Sequence, residues 1–195
     1  MQFHDKLTYK GHLQIMKHYT DGSSEEYLSD SNVVVSGMGY ALGRMFAARA
    51  LETSITNFQN NYFQLGTGNN NYGTIASTSA IATLVTPVTD QAKYHTIETS
   101  KHDLYNPSAN TTINNSVFGI VPASHITRTG PREVLWRIVV DTDSMNGVSL
   151  NEIGLFNNNP DVQGLHKSVL VAYRSWTSIT KASDFSLEFR WTIEF

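Results

Sequence analysis

The run Phe185-Ser186-Leu187-Glu188-Phe189-Arg190-Trp191-Thr192-Ile193-Glu194-Phe195 alternates apolar and polar side chains without a break. In a strand, successive side chains point to opposite faces. Phe185, Leu187, Phe189, Trp191, Ile193 and Phe195 then line one face, and Ser186, Glu188, Arg190, Thr192 and Glu194 line the other. A helix would scatter both sets around its circumference. The run predicts a half-buried antiparallel strand. Large apolar groups worth ~1.5–3 kcal/mol each when buried place it at the centre of a core.

The same reading extends upstream. Val134, Trp136, Ile138 and Val140 alternate with Leu135, Arg137 and Val139. Leu150, Ile153, Leu155 and Phe156 make a further strand, and Val169, Val171 and Tyr173 another. Near the start, Leu13, Ile15 and Lys17 alternate with His12, Gln14, Met16 and His18, and Thr20-Asp21-Gly22-Ser23 supplies turn chemistry, which predicts a hairpin over 10–28. Asn32-Val33-Val34-Val35 and Tyr62-Phe63-Gln64-Leu65 read as short strands. Ser36 can cap a helix whose best part is Ala41 to Leu51, although Gly37, Gly39 and Gly43 weaken its first turns. Ser77 to Val85 is a weaker helix candidate, stopped by Pro87. Residues 88–130 are polar, with strands expected at 94–98 and 116–121 between long connections.

Strands and turns at such short intervals predict an all-β fold, an antiparallel β-sandwich of jelly-roll-like form, with one or two short helices in the N-terminal half. One domain is expected over 1–195, with 1–35 as an N-terminal hairpin or arm and 100–130 as a polar, loop-rich insertion. At this length ~70% of the unfolded chain's surface can be buried, so a core forms without staples.

Composition removes several classes of function. The net charge is -3, from 14 basic and 17 acidic residues, and no basic run exists. A phosphate-neutralising groove, and hence a nucleic-acid partner, is not expected. With no cysteine, zinc–thiolate sites, disulfides and Cys nucleophiles are excluded. Met1 to Lys6 has no signal-peptide core, and no apolar stretch approaches the ~20 residues that cross a bilayer, so no membrane partner is expected.

Each candidate site has a plainer reading. Asp141-Thr142-Asp143-Ser144-Met145-Asn146-Gly147 with Glu152 resembles a calcium loop at positions one, three and twelve, but Met145 and Asn146 stand where a ligand and glycine belong, and the flanks are strands. A hairpin turn with positive φ at Asn146-Gly147 is the expectation. Gly66-Thr67-Gly68-Asn69-Asn70-Asn71-Tyr72-Gly73 lacks the Gly-Lys-Ser/Thr of a phosphate cradle and reads as a surface loop. The histidines His4, His12, His18, His95, His102, His125 and His166 show no metal-ligand spacing, so no metal and no cofactor are expected. His95 and His102, near Asp103 and Glu98, suggest with Ser100 a hydrolase triad only without its elbow motif, and no catalytic residue is assigned. Glu152 is expected to order a neighbouring turn or to pair with a basic group. Trp136, Trp176 and Trp191 read as core or interface before they read as a carbohydrate platform.

Leu150-Asn151-Glu152-Ile153-Gly154-Leu155-Phe156 resembles the "EIGLF" strand of tailed-bacteriophage virion proteins, which recurs in tail-fibre, baseplate-attachment and accessory particle domains. In those families a second strand follows, then a closing segment with a lysine and an alternating strand. Leu170 to Arg174 and Ile179-Thr180-Lys181 through Phe195 fit that order, with Glu152, Ile153, Gly154, Leu155 and Phe156 as the motif strand. Asn32 to Val35, the helix, Phe63-Gln64-Leu65-Gly66-Thr67-Gly68 and the segment leading to Leu84 are similar too. The Asn/Thr-rich stretch at 105–116 has no counterpart. The resemblance implies a non-enzymatic β-sandwich building block of the virion, assembled in the host cytoplasm, docked on copies of itself as a trimer and on capsid or tail proteins. Capsid decoration or cement is the favoured place, a neck, baseplate or fibre adaptor the alternative, and a host-surface glycan-binding module the third reading. Tyr62, Asn69, Asn70, Tyr72 and Tyr105 are the interface candidates.

Overall fold

The computed structural model describes residues 9–47, 59–68, 81–160 and 166–195. The elements are β1 (Lys10–Tyr19), β2 (Ser24–Val34), α1 (Ser36–Ala47), β3 (Tyr62–Gly66), β4 (Thr99–Asn106), β5 (Thr111–Ile120), β6 (Ile126–Gly130), β7 (Glu133–Val140), β8 (Ser149–Pro160), β9 (His166–Thr180) and β10 (Phe185–Glu194). Short 3-10 turns occur at Gln91–Tyr94 and Ala123–His125.

The strands hydrogen bond in the order β4-β5-β3-β8-β9-β2-β1-β10-β7-β6. The long β2 divides this sequence into two layers. Its residues up to Asn32 pair with β1, and only Val33 and Val34 pair with β9, at Tyr173 and Ala172. One layer is β2, β1, β10, β7 and β6; the other is β9, β8, β3, β5 and β4. This is the expected antiparallel sandwich.

The C-terminal alternation sets the middle of the first layer. β10 lies between β1 and β7, with Leu13 and Trp136 opposite Trp191, and Ile15 and Ile138 opposite Phe189. Leu187, Phe189, Trp191 and Ile193 are fully buried. They meet Phe63, Leu65, Leu150, Ile153, Leu155 and Trp176 of the second layer in the main core. The second layer also curls back on itself, because β4 pairs in parallel with β9 at Asp103–Lys167 and Leu104–Ser168. Within that curl Leu104, Phe118, Phe156, Leu170 and Tyr173 form a smaller core with Val35 and Leu84.

Helix α1 begins at Ser36, five residues before the stretch that carries the helical spacing. Gly37 explains why. A Cβ there would sit 1.9 Å from the carbonyl oxygen of Leu170, so only glycine lets the first turn lie flat on β9. Met38 and Ala41 then enter the main core. The remainder of the helix candidate, beyond Ala47, lies outside the described residues.

Several expectations need correction. Of the hairpin or arm expected over 1–35, the described residues form the hairpin, β1 with β2, but not a free arm: β1 also pairs with β10 from Lys10 to Tyr19 and buries Leu13 and Ile15. Residues 100–130 are not loop-rich, because β4, β5 and β6 fill most of the span. Polarity misled there, since Thr111 to Asn115 of β5 are exposed although Thr111, Thr112 and Ile113 pair with β4. The strand expected at 94–98 is a 3-10 turn and a connection. In the helix candidate at 77–85, residues 81–85 are not helical and the rest lies outside the described residues.

Candidate functional site

The motif strand joins segments that lie far apart in the chain. β8 runs between β3 and β9, so both of its faces are covered and Leu150 to Asn157 are all buried. Glu152 stands opposite Gly66 of β3 and has no solvent exposure. Its Oε1 accepts from the backbone N–H of Gly68 at 3.2 Å and of Thr86 at 2.8 Å. Its Oε2 accepts from the backbone N–H of Val85 at 3.0 Å and from the hydroxyl of Tyr173 at 2.9 Å. Both carboxylate oxygens are spent on structural donors. The group is an anchor, not a general base, and no basic side chain is recorded against it among the described residues.

Two glycines make room for that anchor. A Cβ on Gly66 would lie 2.4 Å from Glu152 Oε1, and one on Gly154 would lie 2.6 Å from Leu84 Cδ1. Thr67 N–H donates to Thr86 O at 2.9 Å, and Val88 N–H donates to Leu65 O at 2.8 Å. Residues 65–68 and 84–88 are thereby tied together on the motif strand. Sequence reasoning had Glu152 ordering a neighbouring turn or pairing with a base; the structure gives it the first role.

A second anchor closes the turn between β7 and β8. Lys181 is 1% exposed, and its Nζ donates to Ala182 O at 2.6 Å, Asn146 Oδ1 at 3.3 Å and Thr142 O at 3.4 Å. Burial lowers its pKa, and Asp141, Asp184 and Asp143 partly oppose that through their charge. Its ammonium holds the loop from within, where the calcium reading would have placed an ion. Asp141 Oδ1 instead accepts the backbone N–H of Asp143 at 3.1 Å and of Ser144 at 2.8 Å. Burial opposes ionisation of Asp141, but the hydrogen bonds from Thr96 and Ser144 outweigh it and lower its pKa. Glu152 is absorbed in the contact described above. The positive φ values fall at Met145 (60°) and Gly147 (78°), not at Asn146. Met145 adopts that conformation because its side chain is fully buried and its N–H donates to Lys93 O at 2.6 Å.

On the outer face of the first layer, Glu188 is buried although its strand position predicts solvent. Arg137 and Arg190 bring their Nε to Glu188 Oε1 at 3.0 and 2.6 Å, and His18 Nε2 lies 3.0 Å from Oε2. Burial opposes ionisation, but hydrogen bonds and charge from Arg137 and Arg190 prevail and hold the carboxyl at about 2. The signal was present in the sequence only as two arginines that the strand register sets directly opposite one another, Arg137 and Arg190.

Of the interface candidates, Asn69, Asn70 and Tyr72 lie outside the described residues. Tyr62 is partly buried against the small core, its ring 4.7 Å from that of His102 and 5.8 Å from that of Phe118. Tyr105 sits at the rim, its ring 5.4 Å from Tyr40, its hydroxyl donating to Asn110 Oδ1 at 2.8 Å. The structure does not bring these two tyrosines into one contact. All three tryptophans are core residues: Trp136, Trp176 and Trp191 are 4%, 2% and 0% exposed. They offer no platform for a sugar.

Ser100 and His102 do meet, with Oγ 3.3 Å from Nδ1, but His102 Nε2 is hydrogen bonded to Ser168 Oγ and the ring is stacked on Phe118. Asp103 Oδ1 accepts the N–H of Asn115 instead. No group of three His, Asp or Glu side chains able to hold a metal occurs among the described residues. No helix among them is long and apolar enough to cross a membrane. A cleft of about 290 Å³ opens between the layers, lined by Phe63, Ile97, Glu98, His125, Ile138 and Asp141 among others. Comparison of the chain with protein-family models, with curated proteins and with solved structures finds no match.

Proposed function

We propose that this chain is a non-enzymatic structural component of a tailed-bacteriophage particle, docked on other virion proteins, with capsid decoration or cement as the favoured place. One observation carries the reading. The segments that resemble phage virion proteins lie far apart in sequence, at 65–68, near Leu84 and at 152–156, and they meet in the single contact around Glu152. A pattern whose members converge on an anchor is the pattern of a building block; a catalytic pattern would converge on a cleft with free acids and bases. The uncharged Asn/Thr-rich exposed edge of the β4–β5 hairpin and the rim residue Tyr105 suit protein docking. A neck, baseplate or fibre adaptor would use the same building block. The glycan-binding alternative loses its tryptophans to the core.

Immunogold labelling of intact particles of the phage that encodes the chain tests the proposal. Label spread over the head supports decoration, and label at the neck or tail tip supports an adaptor. Particles without label, whose denatured proteins also lack the chain by mass spectrometry, overturn the virion reading.

A further inference from the structure

We propose that Asn146 is a deamidation site that the fold holds inactive through Lys181. In an Asn-Gly pair the backbone nitrogen after the asparagine can reach the side-chain amide carbon, because glycine carries no Cβ to obstruct the approach. Asn146-Gly147 is such a pair, in a turn between two strands. The Gly147 nitrogen would bond to Asn146 Cγ and the Cγ–Nδ2 bond would break. The side-chain nitrogen would leave as ammonia, taking the Gly147 proton. Water would then open the resulting succinimide at one of its two carbonyls. The product is aspartate, or isoaspartate with the chain routed through the former side chain. Ammonia leaves, water enters, and nothing is oxidised or reduced.

Three contacts oppose the first step. Gly147 N–H donates to Lys181 O at 2.9 Å, which holds the attacking nitrogen in a bond to another strand. Asn146 Nδ2 donates to Thr142 O at 2.8 Å, and Lys181 Nζ donates to Asn146 Oδ1 at 3.3 Å, so the amide is fixed at both ends. Lys181 supplies two of the three, one through its carbonyl and one through its ammonium. Its stem cannot swing away, since it is buried beside the ring of Phe185, 5.1 Å from Nζ. The preceding residue, Met145, is pinned in the core. The same turn holds Ser144 Oγ to Tyr94 O and Met145 N–H to Lys93 O. An isoaspartate here would lengthen the backbone at the point where the turn grips residues 93–94.

The test is peptide-mapping mass spectrometry of the full chain after incubation in mildly alkaline buffer, folded and in concentrated urea. The folded protein is expected to keep its Asn146 mass over a period in which the urea sample becomes one dalton heavier at that residue. Folded Lys181→Met is expected to convert about ten-fold faster than folded wild type or more, because the ammonium's bonds to Asn146 Oδ1 and Thr142 O no longer oppose opening of the turn. Equal conversion of wild type with and without urea overturns the proposal. So does an unconverted Asn146 in urea, or a folded Lys181→Met that converts no faster. A loss of ammonia in which the peptides carrying Asn146 and Lys181 become joined in the map would also overturn it, marking a cross-link between the two side chains instead. The pair of wild-type samples decides the matter even where the variant does not fold.

Discussion

Replacing Glu152 with glutamine changes the shape of the side chain very little and its hydrogen-bonding character completely. The carboxylate accepts four bonds, two on each oxygen, from Gly68, Thr86, Val85 and Tyr173. A glutamine keeps one carbonyl oxygen, which can retain two of them. Its NH2 group must then face two donors. Bonds to a charged acceptor are worth ~1.5–3 kcal/mol each, and a buried donor left without a partner adds ~1–3 kcal/mol. Relaxation of residues 67–68 and 85–86 recovers part of that, so a net loss of ~3–5 kcal/mol is expected, against a total stability of ~5–15 kcal/mol for a domain. Urea unfolding followed by both tryptophan fluorescence and circular dichroism measures it. Hydrogen exchange locates it: the amides of Gly68, Val85 and Thr86 lose protection first. Tyr173→Phe, which removes one donor, costs ~1 kcal/mol, and its effect shrinks in the Glu152→Gln background. A Glu152→Gln protein within ~1 kcal/mol of wild type, with those amides still protected, would refute the anchoring argument.

Glu188 sets an acid limb. Its folded pKa is about 2, below the ~4.3 of an unfolded glutamate, so its contribution is complete above about pH 5 and drains away as the pH falls through 2. Glu188→Gln should cost ~1–3 kcal/mol at neutral pH and flatten the stability profile between pH 5 and 3, as denaturant titrations at a series of pH values will reveal. Gly154→Ala forces a Cβ to 2.6 Å from Leu84 and should lower stability by ~1–3 kcal/mol; a melting temperature equal to wild type would mean that Leu84 yields freely. Trp191→Ala removes the largest fully buried side chain and should cost ~3–5 kcal/mol, read as loss of soluble protein or of a cooperative transition.

The first layer could be read from sequence because its strands are half-buried, and half-burial writes itself as alternation. β10 and β7 show this, and their core faces fall where the alternation puts them. The second layer was harder. β8 is buried on both faces, so Asn151 and Glu152 lie in the interior beside Leu150 and Ile153 without any periodic mark. The β4–β5 hairpin failed for the opposite reason, since its outer half is paired backbone with exposed polar side chains and reads as loop. Glu188 falls on the polar face of the alternation and Lys181 carries no periodic mark of burial; what buries them comes from chain segments far away, at 142–146 and at Arg137. Burial of a charge is a property of its partners, which no local window contains.

The pairing of β1 with β10 joins Lys10 to Glu194, nearly the full span of the described chain. Residues 185–194 emerge from the ribosome after every other described strand. Until they do, β1 and β7 have no neighbour between them, and Leu13, Ile15, Trp136 and Ile138 face a missing centre. The first layer must therefore wait, holding an exposed apolar surface and two open strand edges, while the second layer is free to form. Such late closure of a long loop is slow, and it makes the nascent chain vulnerable to pairing with its neighbours. The yield of folded protein is then limited less by the stability of the finished sandwich than by how quickly the last strand finds the slot left for it.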